Sequence, residues 1–236
     1  MLPGDPAQRK RLKPDLEALI HIPAQADEEH GLLVAWGSAS RPQREFAVVF
    51  TLDAQGGIAA GPVKMPLEAL CRPLRQRYGE LNLEAGFAAG GRLHLFQRAN
   101  RGQPVNGHIT FAVRAMRDWL CGLAAEPPQP LEMTTMSLGA IDGVPLGITD
   151  AAALPEGGWI FSAVAEDTSD AYGDGQCVGS VIGWTDARGV LQGCERLLGA
   201  PKAEGVAIAP GQRLWLVTDA DDPARPSELL ELHLPG

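Results

Sequence analysis

The stretch KPDLEAL, residues 13 to 19, places a carboxylate and a small residue at the start of an apolar run. Similar phrases return as LNLEAGF at 81 to 87, GITDAAA at 147 to 153 and KAEGVAI at 202 to 208. After each phrase come a Gly-containing turn, a second apolar segment and a third one, and the first three units add a fourth. Short apolar segments separated by turn residues are typical of strands, so the sequence predicts four consecutive antiparallel units.

The repeated units indicate a β-propeller. Small sheets packed radially around a channel protect their edges, and Ala and Gly in the innermost strands let neighbouring blades approach. A β-sandwich is the competing fold, but it does not require an acidic phrase at equivalent places. We therefore predict an all-β chain with a single propeller domain at residues 13–236 and a tail or edge segment at residues 1–12. It has four blade units, or five if a first blade is incomplete or missing, because the last unit lacks an outer strand.

Two insertions lengthen the units beyond a compact four-stranded blade. They are PLEALCRPLRQRYGE at 66–80 and RDWLCGLAAEPPQ at 117–129, and both carry apolar residues at helical spacing. We expect two short helices that pack over blade edges.

Composition excludes some functions. The net charge of −9 argues against general binding to nucleic acid or to an anionic membrane, since both require a basic surface. Neither a signal peptide nor a membrane-spanning segment is recognisable. The four cysteines lack the spacing of a zinc or redox motif, and we interpret them as reduced, mostly buried thiols of a cytoplasmic protein. Cys177 and Cys194 could pair across neighbouring strands if the protein were exported.

Strand direction predicts a polar end of the channel. In an antiparallel blade the end of the second strand lies beside the start of the first, so each acidic phrase shares one end with a polar loop. The four recurring acids, proposed as metal ligands, are Glu17, Glu84, Asp150 and Glu204. The polar residues expected around them are Ser38, Ser40, Arg41, Arg98, Asn100, Asp167, Asp170 and Asp219, of which all but Ser40 and Asp170 are our main candidates for ligand binding.

Carboxylates that converge repel one another unless something positive or polar intervenes. Three interpretations are open. A hard cation such as Ca²⁺ could bind the oxygens. Backbone N–H groups of the next blade could donate to them, which would make the acids purely structural. Arg41, Arg98 and Lys202 could also neutralise them.

The phrases DLEAL, NLEAG and AEGVAI, each followed by a Gly turn and an apolar strand, resemble the phytase-like group of propellers. This group includes calcium-dependent bacterial phytases, SdiA-regulated proteins and bacterial propellers of unknown function, and the last are the most similar. The resemblance covers the chain from about residue 8 onward. It implies an acidic end of the channel with bound Ca²⁺, and a further strand run upstream of KPDLEAL. Phytase activity does not carry over, because a net acidic chain suits a polyphosphate poorly.

We accordingly predict a bacterial propeller that binds a small molecule or a divalent cation, with Ca²⁺ as the candidate cofactor, at its acidic end. One alternative is a metal-dependent hydrolase of phosphoesters or lactones, in which the ion activates water while Arg98 and Asn100 orient the substrate. Another is a scaffold that binds a protein on the flat face of the propeller.

Overall fold

A computed structural model describes residues 5, 8, 13–25, 28–169, 175–209, 211, 213–222 and 224–233. Asp170 and most of the predicted tail at 1–12 lie outside these residues, so the predictions made for them stay predictions.

The described strands form four antiparallel sheets. The first contains β1 (Leu16–Ile22), β2 (Leu32–Gly37), β3 (Phe46–Leu52) and β4 (Ile58–Pro66). The second contains β5 (Leu83–Ala89), β6 (Arg92–Gln97), β7 (Asn106–Ala112) and β8 (Glu132–Met136). The third contains β9 (Ala140–Ile141), β10 (Val144–Ala153), β11 (Trp159–Asp167), β12 (Gln176–Thr185) and β13 (Leu191–Arg196). The fourth contains β14 (Ala203–Ala209), β15 (Arg213–Thr218) and β16 (Leu229–His233).

The four sheets are the blades of a β-propeller, which confirms the predicted fold. β1, β5, β10 and β14 are the inner strands, and each of the first three packs against the next. Small residues permit this approach: a Cβ at Gly86 of β5 would lie 2.6 Å from Ile20 Cδ1 of β1. The described residues of β14 and β1 show no comparable packing. Trp215 and Val217, which face away from the third blade, are partly exposed accordingly.

The third and fourth blades differ in detail from the predicted units. The inner strand of the third blade begins at Val144, ahead of the predicted phrase, and pairs with the short β9. The fourth blade has three strands, and the described part of the chain supplies no fourth. Completion of this blade from the N-terminal side is therefore not seen among the described residues.

The two insertions contain the predicted helices, α1 (Glu68–Tyr78) and α2 (Val113–Leu120). Leu70 and Leu74 of α1 and Met116 and Trp119 of α2 are buried in the core between the first two blades. Helices this short are marginal alone and depend on such burial. Neither described helix is long and apolar enough to cross a membrane.

The expectation of mostly buried cysteines is wrong. Only Cys71, on α1, is buried, whereas Cys121 and Cys194 are exposed and Cys177 is half-buried. All four are free thiols. Cys177 and Cys194 both lie in the third blade, but Cys177 pairs in register with Glu166 and Cys194 with Gly183, so they do not face each other.

Asn106, at the start of β7, joins the second and third blades. Its side chain is fully buried and accepts from the N–H groups of Ala99, at 2.9 Å, and Ile148, at 2.8 Å. Its amide nitrogen donates to the carbonyl of Leu146 at 2.8 Å. Because buried backbone groups need partners, one side chain here satisfies groups on both blades.

We expect Asn106→Ala to lower the free energy of unfolding by roughly 2–3 kcal/mol, since it leaves these buried groups without partners. Chemical denaturation of both proteins measures the change. Gln55→Ala, in an exposed turn, is the control and should change stability by less than about 0.5 kcal/mol. Equal stability of Asn106→Ala and the control would show that Asn106 does not tie the blades together.

Candidate functional site

Every inner strand contains a β-bulge. The register of pairing to the second strand shifts between Leu16 and Ala18 in β1 and between Leu83 and Ala85 in β5. The same shift recurs in the third and fourth blades. A bulge leaves one residue unpaired and re-aims its side chain. The residues at the four bulges are Glu17, Glu84, Thr149 and Glu204.

The equivalence assigned to Asp150 from the sequence is therefore wrong by one residue. Thr149 occupies the bulge of the third blade, because β10 reads Ile-Thr-Asp where the other strands read Leu-Glu or Ala-Glu. The Thr149 hydroxyl is buried and donates to the carbonyl of Ala203, in the fourth blade, at 2.7 Å. It also lies 2.9 Å from the hydroxyl of Ser162.

Asp150 is held by the backbone of the fourth blade. Its Oδ2 accepts from the N–H of Val206 at 2.9 Å, and its Oδ1 accepts from its own neighbour, Ala151, at 2.8 Å. Burial raises the pKa of Asp150 to about 7, although both N–H groups act in the opposite direction. The interpretation in which backbone N–H groups of the next blade donate to the acid thus describes the geometry of Asp150.

Arg98 lies between the second and third blades. Its guanidinium is 2.7 Å from Glu166 Oε2 and 3.5 Å from Glu84 Oε1. Asn82 Nδ2 donates to the same Glu84 oxygen at 2.5 Å. Burial alone would lower the pKa of Arg98, but Glu84, Glu204 and Glu166 raise it on balance, so this side chain stays charged.

Lys202 has the corresponding place between the third and fourth blades. Its ammonium lies 2.9 Å from Asp221, 3.4 Å from Glu166 and 3.5 Å from Glu204. Burial opposes the charge of Lys202, but Glu204, Asp221 and Glu166 raise its pKa. Arg98 and Lys202 are thus the neutralising groups expected from the sequence.

Glu17 has no ion pair comparable to that of Glu84 with Arg98 or of Glu204 with Lys202. Its side chain makes no ion pair or hydrogen bond within the part of the chain that the structure describes. Burial raises its pKa to about 9, and Glu84, Asp15 and Glu204 raise it further, whereas Lys13 acts in the opposite direction. Burial likewise raises the pKa of Glu84 to about 7, with Glu204 adding to the effect, and it raises that of Glu204. Glu17, Glu84 and Glu204 therefore form one electrostatically coupled group, which we call the acidic cluster.

Ser38 belongs to a network beside the acidic cluster. Its hydroxyl donates to Asp15 Oδ2 at 2.8 Å and lies 2.9 Å from the hydroxyl of Ser40. Asp15 also pairs with Arg44 at 2.5 Å and with Lys13 at 2.9 Å. Arg44 contributes an arginine side chain to this network. Arg44 is buried because the 3₁₀ turn at Pro42–Arg44 directs its side chain inward. Arg41 is exposed.

The remaining predicted ligand residues organise their own loops. Asn100 is buried, and its Oδ1 accepts from the N–H of Gln103 at 2.8 Å. Asp167 is half-exposed and pairs with Arg101. Exposed Asp219 accepts from the N–H of Asp221 at 2.9 Å. None of these contacts joins the residues to the acidic cluster.

Sequence reasoning missed Glu166. It is buried at the end of β11 and contacts both cationic groups of the site. The sequence predicts a polar loop after the second strand of each blade, but nothing in a local pattern shows that one acid there bridges two blades. The pairing register shifts beside it, where Val178 of β12 is the extra residue opposite Ala165 and Glu166.

Metal coordination is not preformed in the described structure. Among the residues that it describes, no group of three or more His, Cys, Asp or Glu side chains is arranged to hold an ion. Arg98 and Lys202 already contact oxygens that a metal would need. The roles of Glu17, Glu84, Asp150 and Glu204 as calcium ligands remain predictions.

These features define a β-propeller with a charged site at one end of its channel. The chain belongs to a family of unknown function, DUF6910, whose model matches residues 9–223. No curated protein matches it. Placement within the phytase-like group remains a prediction.

Solved structures of similar shape share little sequence with this chain and cover 92% of it. A luciferin-regenerating enzyme has 12% identity, a TM-score of 0.40 and 77% of its own chain covered. A gluconolactonase from Xanthomonas campestris has 12% identity, a TM-score of 0.40 and 70% covered. An apocarotenoid oxygenase from Synechocystis has 11% identity, a TM-score of 0.40 and 47% covered, so this chain spans about half its length. Likenesses at this level carry no argument about function.

Titration of Glu17 should make the protein less stable as the pH rises. Its pKa is 4.5 when unperturbed and about 9 in the folded protein, so the folded state binds the proton more tightly. That contribution is complete below pH 4.5 and is lost as the pH rises through about 9. We expect the melting temperature to fall across this range, by about 2–4 °C for each kcal/mol lost.

The stabilities of the wild type and of Glu17→Gln are best compared above pH 6.5. Burial lowers the pKa of His94 and of His108 from 6.5 to about 4, and these residues destabilise the fold as the pH falls below 6.5. Above that value they are neutral in both states. Scanning calorimetry of the wild type and Glu17→Gln should show a flatter pH dependence for the variant. Identical slopes would show that Glu17 does not titrate in this range.

Proposed function

We propose that the acidic cluster binds a small cation, and that the protein is a binding protein in which the propeller gathers the carboxylates. Support comes from the balance of charge at this end of the channel. Glu17, Glu84 and Glu204 approach one another from three separate blades, and Glu166 adds a fourth carboxylate. The ion pairs around them involve Arg98 and Lys202. A further positive charge would relieve the repulsion that remains.

The absence of a partner for Glu17 is the observation that carries the proposal. A carboxyl near other acids either keeps its proton, as the raised pKa indicates, or exchanges the proton for a cation. Glu204 offers a second group, because its Oε1 is buried and has no hydrogen-bond partner among the described residues, although Lys202 lies 3.5 Å away. Two carboxyl groups thus retain acceptor capacity facing one end of the channel.

Calcium and an ammonium group would use these oxygens differently. Ca²⁺ takes about 6–8 oxygen ligands, so its binding would require side chains to turn and water to complete the shell. An ammonium group donates three hydrogen bonds and needs fewer acceptors. Ca²⁺ is the candidate from the sequence, and methylammonium is the simplest ammonium ion for comparison. The hydrolase and scaffold alternatives remain predictions from the sequence.

We expect titration calorimetry above neutral pH to detect binding of Ca²⁺ or methylammonium by the wild type. Glu17→Gln and Glu204→Gln should each weaken this binding by at least about tenfold, since each removes a charge that the cation would contact. The protein should also release protons on binding, because Glu17 exchanges its proton for the ligand.

Glu195→Gln is the matched control, since it removes one carboxylate from the exposed strand β13 and keeps the same net charge as the test variants. It should bind as the wild type does. Binding by the wild type of neither cation would contradict the proposal. Equal weakening in all three variants would also contradict it, because it would reflect net charge and not a site.

A further inference from the structure

A cavity of about 310 Å³ lies inside the channel, bounded by all four inner strands. Each strand contributes residues that follow its bulge, so the cavity begins beyond the acidic cluster and extends away from it. Glu17, Glu84 and Glu204 are not part of its wall. The lining residues of the four strands are Leu19 and His21, Gly86–Ala88, Asp150–Ala153, and Val206–Ile208.

Small side chains create this space. Five alanines and Gly86 form much of the wall, where larger residues would fill the channel. Leu19, which is largely exposed, supplies the larger apolar side chain, whereas Phe87 is buried among aromatic rings of the core. Apolar molecules gain free energy when such a surface replaces water around them. The exposed surface of the wall is nevertheless more polar than apolar, so a fitting ligand combines a small apolar body with a polar group.

Asp150 is the acidic group of the wall. The N–H groups of Val206 and Ala151 fix its two oxygens in place, as described above. An ionised carboxylate has about four acceptor sites, so two remain for a ligand. Glu204 also acts on Asp150 electrostatically, which adds negative potential at this point and disfavours anionic ligands. His21, on β1, is the other titratable residue of the wall.

We infer that this cavity binds a small apolar molecule that carries a protonated amine, with the amine against Asp150 and the apolar body against the alanine wall. The volume lies at the lower end of the range for small-molecule pockets, about 300–1,000 Å³, which limits the ligand to roughly the size of one ring with a short substituent. The site is separate from the acidic cluster, and its occupation does not require the cation proposed there.

The test compares an amine with a neutral molecule of the same shape. Benzylamine and cyclohexylamine are the ligands, with benzyl alcohol and cyclohexanol as their neutral counterparts. Titration calorimetry at one pH above neutrality should show that the wild type binds the amines at least about tenfold more tightly than the alcohols. Equal affinity for amines and alcohols, or binding of neither, would overturn the inference.

Two variants locate the site. Ala207→Phe places a ring in the cavity from an exposed position and leaves Asp150 unchanged, so it should abolish amine binding. Asp150→Asn should remove the preference for amines over alcohols. Because Asp150→Asn also alters a buried contact, its melting temperature and circular dichroism spectrum establish first that it folds, and Ala207→Phe tests the site independently if it does not.

Ala59→Phe, on exposed strand β4, is the control for the added ring and should bind benzylamine as the wild type does. Glu17→Gln separates this inference from the proposed cation site. It should still bind benzylamine, whereas loss of benzylamine binding in Glu17→Gln together with full binding in Ala207→Phe would place the amine at the acidic cluster and overturn the inference.

Discussion

Repulsion among carboxylates that are buried or half-buried is the constraint that shapes one end of this propeller. Glu17, Glu84 and Glu204 come from three blades, and burial removes the water that would otherwise screen them. Arg98 and Lys202 offset part of this cost because each contacts acids at a junction between blades. The remaining repulsion raises the pKa values of these acids, most for Glu17, which forms no ion pair among the described residues although Lys13 acts to lower its pKa. Electrostatic repulsion of this kind favours the binding of a proton or another cation.

The bulges explain why the acids converge. An ordinary strand residue points either into a blade interface or away from it, whereas a bulged residue is re-aimed at the end of the strand. With one bulge in each inner strand, at equivalent positions of the four blades, radial packing brings the four bulged side chains to the same end of the channel. The third blade uses Thr149 here, and its hydroxyl ties this blade to the fourth. The same position of the repeat therefore joins two neighbouring blades in one case and carries a carboxylate in the other three.

The sequence allowed the fold and three of these four positions to be predicted. The phrase that marks each inner strand is local, and the acid keeps a constant place within it, so Glu17, Glu84 and Glu204 were found directly. The third blade was misaligned because Thr149 and Asp150 are adjacent, and the acidic residue was the natural match. Contacts between blades were harder to predict. Glu166 contacts Arg98 and Lys202 only once distant segments of the chain have folded together. Burial of Arg44 and exposure of Arg41 depend on the direction of one 3₁₀ turn. The cavity could not be foreseen, since it depends on small residues meeting across four distant strands.

The central claim is that the carboxyl groups of the acidic cluster are coupled, and a carbon-13 NMR titration of the glutamate side chains tests it most directly. The account predicts that Glu17 titrates near pH 9 and Glu84 near pH 7, well above the unperturbed value of 4.5. It also predicts that Glu84→Gln lowers the pKa of Glu17, because Glu84 is already ionised when Glu17 titrates and its repelling charge is then gone. Titration of both residues near 4.5, or a Glu17 pKa that Glu84→Gln leaves unchanged, would contradict the account.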